Sequence, residues 1–244
     1  QYFYDRGIRY ITLTHAKDNL ICDSSYDTTG TWNGLSPFGR KVVKEMNRVG
    51  IMVDISHVTD NVINQVLDMT DVPVIASHSS CRHFTPGWER NMGDAEIRRL
   101  KDNGGVIQIN YGSSFVTQVS QDKRKANSER IEAYAKKNNL KKDDEALKTY
   151  AGKVNAENPM YADITEVVDH IDRVVELAGI DHVGIGSDYD GVGDSLPYGL
   201  KDVSSYPNLI FHLLKRGYSE EDIEKICYKN VWRVWLAVEA AAKS

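Results

Sequence analysis

Short apolar runs rich in β-branched residues alternate with longer segments of helical spacing along this chain of 244 residues. This alternation predicts βα units built around a parallel sheet rather than a sandwich. Each run is nearly continuous in apolar side chains, as in strands that are covered on both faces. The five predicted strands are residues 8–14, 51–56, 72–77, 105–110 and 182–187.

Apolar positions at intervals of three and four residues predict the helices. Asp94 is predicted to cap one helix, and Asp163 to cap another that Gly179 ends. A charged segment with few apolar residues, 118–158, is predicted to be a partly helical, solvent-exposed insertion in a single domain spanning 1–244. The helix after Asp163 is predicted to span 164–178, and the remaining predicted helices are 37–48, 60–69, 206–216, 220–228 and 231–242.

Composition excludes several classes of protein. A formal charge of −5 and a pI near 5.8 give no basic field for phosphate backbones, and no local basic patch is found, so nucleic-acid binding is not expected. No apolar run reaches the ~18 residues that span a bilayer. Cys22, Cys81 and Cys227 are widely spaced without a CxxC pair, so we expect free thiols and no zinc ribbon.

Chemically active side chains follow four of the five predicted strands. His15, His57 and His78 come directly after the first, second and third strands, and Asp188 follows the fifth. In a (β/α)8 barrel the carboxyl ends of all strands meet at one face, where catalytic groups lie. A single histidine at a strand end is usually structural, but three with an aspartate favour a functional site.

Neutral imidazole is a common ligand for zinc, and a catalytic zinc needs three protein ligands and an open position. His57 and His78 supply two such ligands. His15, one strand further round, is suited to polarise a substrate carbonyl. Asp188 is suited to hold or deprotonate a metal-bound water, whose pKa a metal brings close to neutral.

Arg90 is the arginine we select among three that follow the third strand, because its loop could present a guanidinium to a substrate carboxylate. A surface ion pair is the alternative for Arg82, Arg90 and Arg99. Of the other histidines, His83 stays ambiguous. Three are expected to be structural, because two lie in predicted helices and one opens its strand at the opposite end: His170, His212 and His182.

Several segments resemble the membrane dipeptidase (renal dipeptidase) family, the M19 peptidases of the amidohydrolase superfamily. The resemblance covers nearly the whole chain. Only the insertion at 118–158 differs from the family pattern, and it resembles the longer form of bacterial members. The segments are GIRYITLTH at 7–15, GLSPFGR at 34–40, VKEMNRVGIMVDISH at 43–57, PVIASHSS at 73–80, RN at 90–91, VGIGSDYDGV at 183–192 and NVWRV at 230–234.

The resemblance implies a (β/α)8 TIM barrel with two bridged zinc ions that cleaves dipeptides, including those with a C-terminal D-residue. By the same resemblance, His57 and His78 are ligands of the second zinc. His15 binds substrate and stabilises the tetrahedral oxyanion, Arg90 clamps the substrate's C-terminal carboxylate, and Asp188 handles the proton of the bridging water.

Two family features are missing from this chain. Members carry a His-x-Asp pair after the first barrel strand and a bridging Glu after the third. The sequence HisIleAsp at 170–172 lies in a predicted helix, where positions i and i+2 point to different faces. We therefore expect the five strands to be the fourth to eighth of an incomplete barrel, completed by an N-terminal fragment on a second chain. A shortened chain that rearranges or swaps is the alternative.

The sequence therefore predicts a zinc dipeptidase acting on a dipeptide substrate, or the larger part of one. An inactive C-terminal fragment or binding subunit is a second hypothesis, because two histidines alone hold zinc weakly. A lactonase or deaminase is a third, disfavoured because neither reaction needs a carboxylate clamp such as Arg90. The resemblance also implies a homodimer and an extracytoplasmic or membrane-associated location, and the sequence leaves both open.

Overall fold

A parallel sheet forms the centre of the computed structural model, which describes residues 1–242. The strands lie side by side in chain order, and every neighbouring pair is parallel. All five predicted strands are present; four are shorter than predicted, and the third begins three residues later and ends two residues later than predicted. They are β1 (Tyr10–Thr12), β2 (Met52–Asp54), β3 (Ile75–Ser79), β4 (Val106–Asn110) and β5 (Val183–Ser187).

The predicted helices are also present, and three have the predicted bounds. They are α1 (Pro37–Val49), α2 (Asp60–Met69), α3 (Asp94–Asn103), α4 (Ser113–Val116), α5 (Gln118–Asn138), α6 (Glu145–Glu157), α7 (Ile164–Ala178), α8 (Tyr206–Arg216), α9 (Glu220–Glu224) and α10 (Asn230–Ala241).

Side-chain hydrogen bonds explain where two of the helices begin. Two predictions about helix ends were wrong. The Ser36 side chain accepts a hydrogen bond from Gly39 N at the start of α1, and Asp163 forms a capping box at the start of α7. Gly93, not Asp94, is the N-cap of α3. A π-helical segment, Lys225–Lys229, joins α9 to α10 without the predicted break.

One face of the sheet is buried under helices. The outward side chains of the strands, such as Val53 and Ile107, pack in a single core with the apolar stripes of α1, α2, α3 and α7. Those stripes contribute fully buried residues such as Val43 and Val167. This layer of helices fixes the strands and hence the positions of the loops that follow them.

The opposite face of the sheet is covered at one end only. Val234 and Val238 of α10 pack against Met52, Ile75 and Val106. Arg9, just before β1, pairs with Glu239 of the same helix through Nε and Oε1 at 2.8 Å. The rest of this face borders a cavity of about 1010 Å³ lined by the inward side chains of the strands and by Trp232 and Trp235.

The charged insertion is a pair of helices, α5 and α6, in contact with one another. Tyr134 and Tyr150 stack with ring centroids 3.8 Å apart, and buried Asn127 donates to Asn155 and to the Asn158 carbonyl. Most of its side chains are exposed, as predicted. Across residues 1–242, no helix combines the length and apolarity needed to cross a membrane.

Candidate active site

A pocket of about 440 Å³ lies at the carboxyl ends of the strands. It brings together all five side chains that the sequence indicates, although they are spread over more than 170 positions of the chain. The five are His15, His57, His78, Arg90 and Asp188.

His57 and His78 form the centre of the pocket. Their Nε2 atoms lie 2.8 Å apart, and the rings have centroids 4.8 Å apart. The ring of His15 also contacts that of His57, with centroids 4.3 Å apart. Three imidazoles that follow or end three neighbouring strands therefore lie close together in this pocket.

A buried hydrogen-bond relay orients His78. Nδ1 of His78 lies 2.7 Å from Ser77 Oγ, and that hydroxyl donates to Asp54 Oδ2 at 2.6 Å. Asp54 also accepts from Thr12 Oγ1 and from the backbone N–H groups of Ser56 and Ser77. Because the hydroxyl proton goes to Asp54, Nδ1 of His78 is the donor to Ser77, and its Nε2 lone pair faces the pocket.

The histidine pair is neutral near pH 7. Burial, with the nearby charge of Arg90 and the neighbouring imidazoles, lowers the pKa of His57 to about 2. Burial and the charge of Arg90 also lower the pKa of His78, although Asp54 and Asp188 oppose this. Neutral imidazole is the form that binds a metal.

Arg90 is almost completely buried, with 2% of its surface exposed. Nη1 donates to Ser79 Oγ at 3.0 Å and Nη2 to the His78 carbonyl at 2.8 Å. Phe115 packs against the guanidinium at 5.0 Å. These contacts hold the guanidinium at the wall of the pocket. Arg82 and Arg99 instead form ion pairs, with Asp60 and Asp68.

Asp188 is held by the end of β4. Its Oδ2 accepts a hydrogen bond from Asn110 Nδ2 at 2.8 Å. Asn110 pairs with Ser187 in the sheet, after a shift in register between β4 and β5. The Asp188 side chain lines the same pocket as His57 and His78.

The backbone of the site is strained at three positions. His57, Ser187 and Asp188 have φ angles of 69°, 33° and 63°, in a region that residues other than glycine seldom adopt. Such conformations cost about 1–3 kcal/mol each and occur often at functional sites. Here they turn the chain as β2 and β5 end, which places both side chains in the pocket.

Sequence reasoning missed several residues of the pocket. Tyr26 comes from the long loop after β1, and Ser114 and Arg124 come from α4 and α5. Asn110, which holds Asp188, is the last residue of β4, and its place at the end of a predicted strand could have identified it. Arg124 has no comparable signal, because it lies within a run of charged residues.

The remaining histidines and cysteines lie elsewhere. His170 is buried in α7, where Nδ1 accepts from Cys81 N and Nε2 faces the Val116 carbonyl, each at 2.9 Å. His212 lies in α8, and His182 directly precedes β5. His83 is exposed outside the pocket. The three cysteines are free, as predicted.

The side chains of the pocket provide some, but not all, of the ligands that a metal ion needs. His57 and His78 offer two neutral, convergent imidazoles, one of them oriented through its second nitrogen. Over residues 1–242 no group of three or more His, Cys, Asp and Glu side chains is arranged to hold a metal. These two residues would therefore hold a metal together with ligands from elsewhere.

Comparisons with known proteins agree on one family. The model of the membrane dipeptidase family, peptidase family M19, matches residues 1–244. An uncharacterised dipeptidase of Schizosaccharomyces pombe is 38% identical over 243 residues, covering 98% of this chain and 49% of the relative. Dipeptidase tcpJ of Claviceps purpurea is 38% identical over 242 residues, covering 99% and 47%. The chain thus spans about half the length of these relatives.

Solved structures show the same fold. The probable dipeptidase PvdM of Pseudomonas aeruginosa superimposes with a TM-score of 0.82 at 29% identity, covering 99% of this chain and 65% of that one. A metallopeptidase of Rhodobacter sphaeroides, liganded with a phosphinate mimic of L-Ala-D-Ala, gives 0.74 at 24% identity, covering 97% and 57%. The parallel sheet is therefore of the TIM-barrel type found in these proteins, and the chain belongs to the membrane dipeptidase family, peptidase family M19.

Proposed function

We propose that this chain is part of a zinc-dependent dipeptidase with a binuclear metal centre, and that it supplies the two histidine ligands of the second zinc ion. The observation that supports this most strongly is the convergence of His57 and His78 Nε2, 2.8 Å apart, in the pocket that also contains Arg90 and Asp188. Membership of the metallopeptidase family M19 agrees with it. The substrates we propose are dipeptides, including those with a C-terminal D-residue.

Each side chain has a role in this proposal. Arg90 orients the substrate by binding its C-terminal carboxylate with the N–H groups that face the pocket. His15, exposed at the pocket wall, donates a hydrogen bond to the oxygen of the scissile carbonyl as negative charge develops there. Asp188 accepts a proton from the attacking water and is held in place by Asn110.

Zinc bound by His57 and His78 would supply a Lewis acid and a water of lowered pKa. The relay from Ser77 to Asp54 keeps the Nε2 lone pair of His78 available for that role.

We further propose that the remaining ligands, a His-x-Asp pair and a bridging Glu, come from a second polypeptide segment that completes the barrel. The open cavity on the inner face of the sheet and the unpaired edges of β1 and β5 within residues 1–242 support this. Tyr10 on β1 is 50% exposed. A second copy of the chain at these edges, giving a homodimer, is the competing arrangement.

An inactive fragment is the second candidate function. It is favoured by one observation, that residues 1–242 contain no group of three metal ligands. In that case the protein would bind zinc weakly and would not hydrolyse dipeptides.

Hydrolysis of L-Ala-L-Ala and L-Ala-D-Ala by the purified protein, in whatever complex it forms, tests the proposal. We expect turnover that a chelator abolishes and zinc restores, and that His78→Gln reduces at least a hundredfold. His83→Gln, an exposed histidine outside the pocket, is the matched control. Turnover that survives chelation, or an equal loss in both variants, would contradict the proposal.

A further inference from the structure

A second guanidinium reaches the pocket from the charged insertion. Arg124 lies near the start of α5 and borders the same pocket as Arg90. Its Nη1 donates to Ser114 Oγ at 3.1 Å. Gln121, one turn earlier, donates to the Ser114 carbonyl at 2.8 Å, so the first turns of α5 are fixed against α4. The insertion therefore contributes to the wall of the pocket.

The two arginines differ in what surrounds their charges. Arg90 is buried and interacts electrostatically with Asp54 and Asp188. Arg124 is exposed and has no carboxylate within ion-pairing distance in the described part of the chain. An uncompensated cation at a pocket mouth is available to an anionic group of a ligand.

Tyr26 lines the same pocket as Arg90 and Arg124. Burial raises the pKa of its phenol, while the positive charges of Arg90 and Arg124 both oppose that rise. Both guanidiniums therefore act on the same region of the pocket. In the proposed function, this region receives the C-terminal residue of the dipeptide, because Arg90 binds the α-carboxylate there.

We propose that Arg124 binds the side-chain carboxylate of an acidic C-terminal residue, so that dipeptides ending in Asp or Glu are preferred. This inference rests on the proposed function and specifies its substrate class. Arg90 binds the α-carboxylate that every dipeptide has, so Arg124 is available to bind a second carboxylate. Charge-assisted hydrogen bonds to a guanidinium discriminate a carboxylate from its neutral amide isostere.

Equilibrium binding tests this without requiring turnover. The probes are analogues of Ala-Asp and Ala-Asn in which CH2–NH replaces the peptide bond, titrated calorimetrically into the zinc-loaded protein. We expect the Asp analogue to bind about fivefold more tightly than the Asn analogue. Arg124→Gln should remove this preference and leave the affinity for the Asn analogue unchanged.

Arg130→Gln is the matched control, because Arg130 lies on the same helix and pairs with Glu157 at 2.8 Å. It should keep the preference for the Asp analogue. If Arg124→Gln weakens both analogues equally, or if the wild type does not distinguish them, the inference is overturned while the proposed function stands. If neither analogue binds the wild type, both are overturned. A preference that depends on Arg124 in a protein without turnover would support the inference and contradict the proposed catalysis.

Discussion

Nε2 of His57 and Nε2 of His78 face one another at 2.8 Å although 21 positions separate the two residues. The sheet register explains the convergence. Asp54 on β2 is aligned with Ile75 on β3, and each histidine lies three positions beyond its aligned residue. His57 then turns inward through a left-handed backbone conformation with φ of 69°. Two parallel strands in register thus place two imidazoles at one point.

The relay behind His78 gives the first prediction. Ser77→Ala removes the acceptor for Nδ1 of His78 and frees that ring to change tautomer, so zinc affinity should fall about tenfold or more. The ¹⁵N shifts of His78 in the metal-free protein should report the mixed tautomers. Thr12→Val is the control, because it removes one hydrogen bond to Asp54 but leaves the Ser77–His78 contact. Equal zinc affinity in wild type and Ser77→Ala would contradict the orienting role.

Much of this site could be predicted from the sequence. The strands are short apolar runs, and the carboxyl ends of parallel strands always meet at one face, so His57, His78 and Asp188 were expected to lie together. The Asp54–Ser77 relay was not expected, because it depends on the alternation of side chains across two strands in a register that only the fold sets. Arg124 could not be predicted, because its position depends on how the insertion packs against α4.

The carboxylate-binding role proposed for Arg90 gives a second prediction. Arg90→Met keeps much of the buried volume but removes the guanidinium. We expect KM for Ala-Ala to rise at least tenfold and KM for Ala-Ala amide to change little, because the amide has no carboxylate to lose. Steady-state kinetics on both substrates check this. A similar rise in both KM values would mean that Arg90 acts through packing against Phe115 rather than by binding the carboxylate.

The proton-handling role proposed for Asp188 gives a third prediction. Asp188→Asn should lower kcat at least a hundredfold and leave KM within about threefold, because general acid–base groups act in the transition state. Asp190→Asn, two residues further along and exposed, should retain activity. Zinc content measured on each variant separates a lost proton acceptor from a lost metal. Unchanged kcat in Asp188→Asn would exclude the assigned role.

Stability should fall in acid because of His170. Burial lowers the pKa of His170 to about 4 in the folded chain, from 6.5. The unfolded chain therefore binds more protons between these values, so folding is fully stabilised above pH 6.5 and loses about 3 kcal/mol as the pH falls to 4. The free energy of unfolding of wild type and His170→Asn is measured with urea from pH 7 to pH 4. The contribution of His170 is the part of the wild-type pH dependence that the variant lacks.

His212→Asn, a half-exposed histidine on α8, is the matched control for that experiment and should keep the wild-type pH dependence. Parallel curves for wild type and His170→Asn would show that His170 is protonated equally in the folded and unfolded chain.

Native mass spectrometry combined with zinc analysis, on material that hydrolyses dipeptides, tests whether a second polypeptide segment and two zinc ions complete the site. We expect the 27.5 kDa chain to be found in a complex that holds about two zinc ions per site, and zinc and activity to be lost together on chelation. An active 27.5 kDa chain with no second polypeptide and no bound zinc would contradict it.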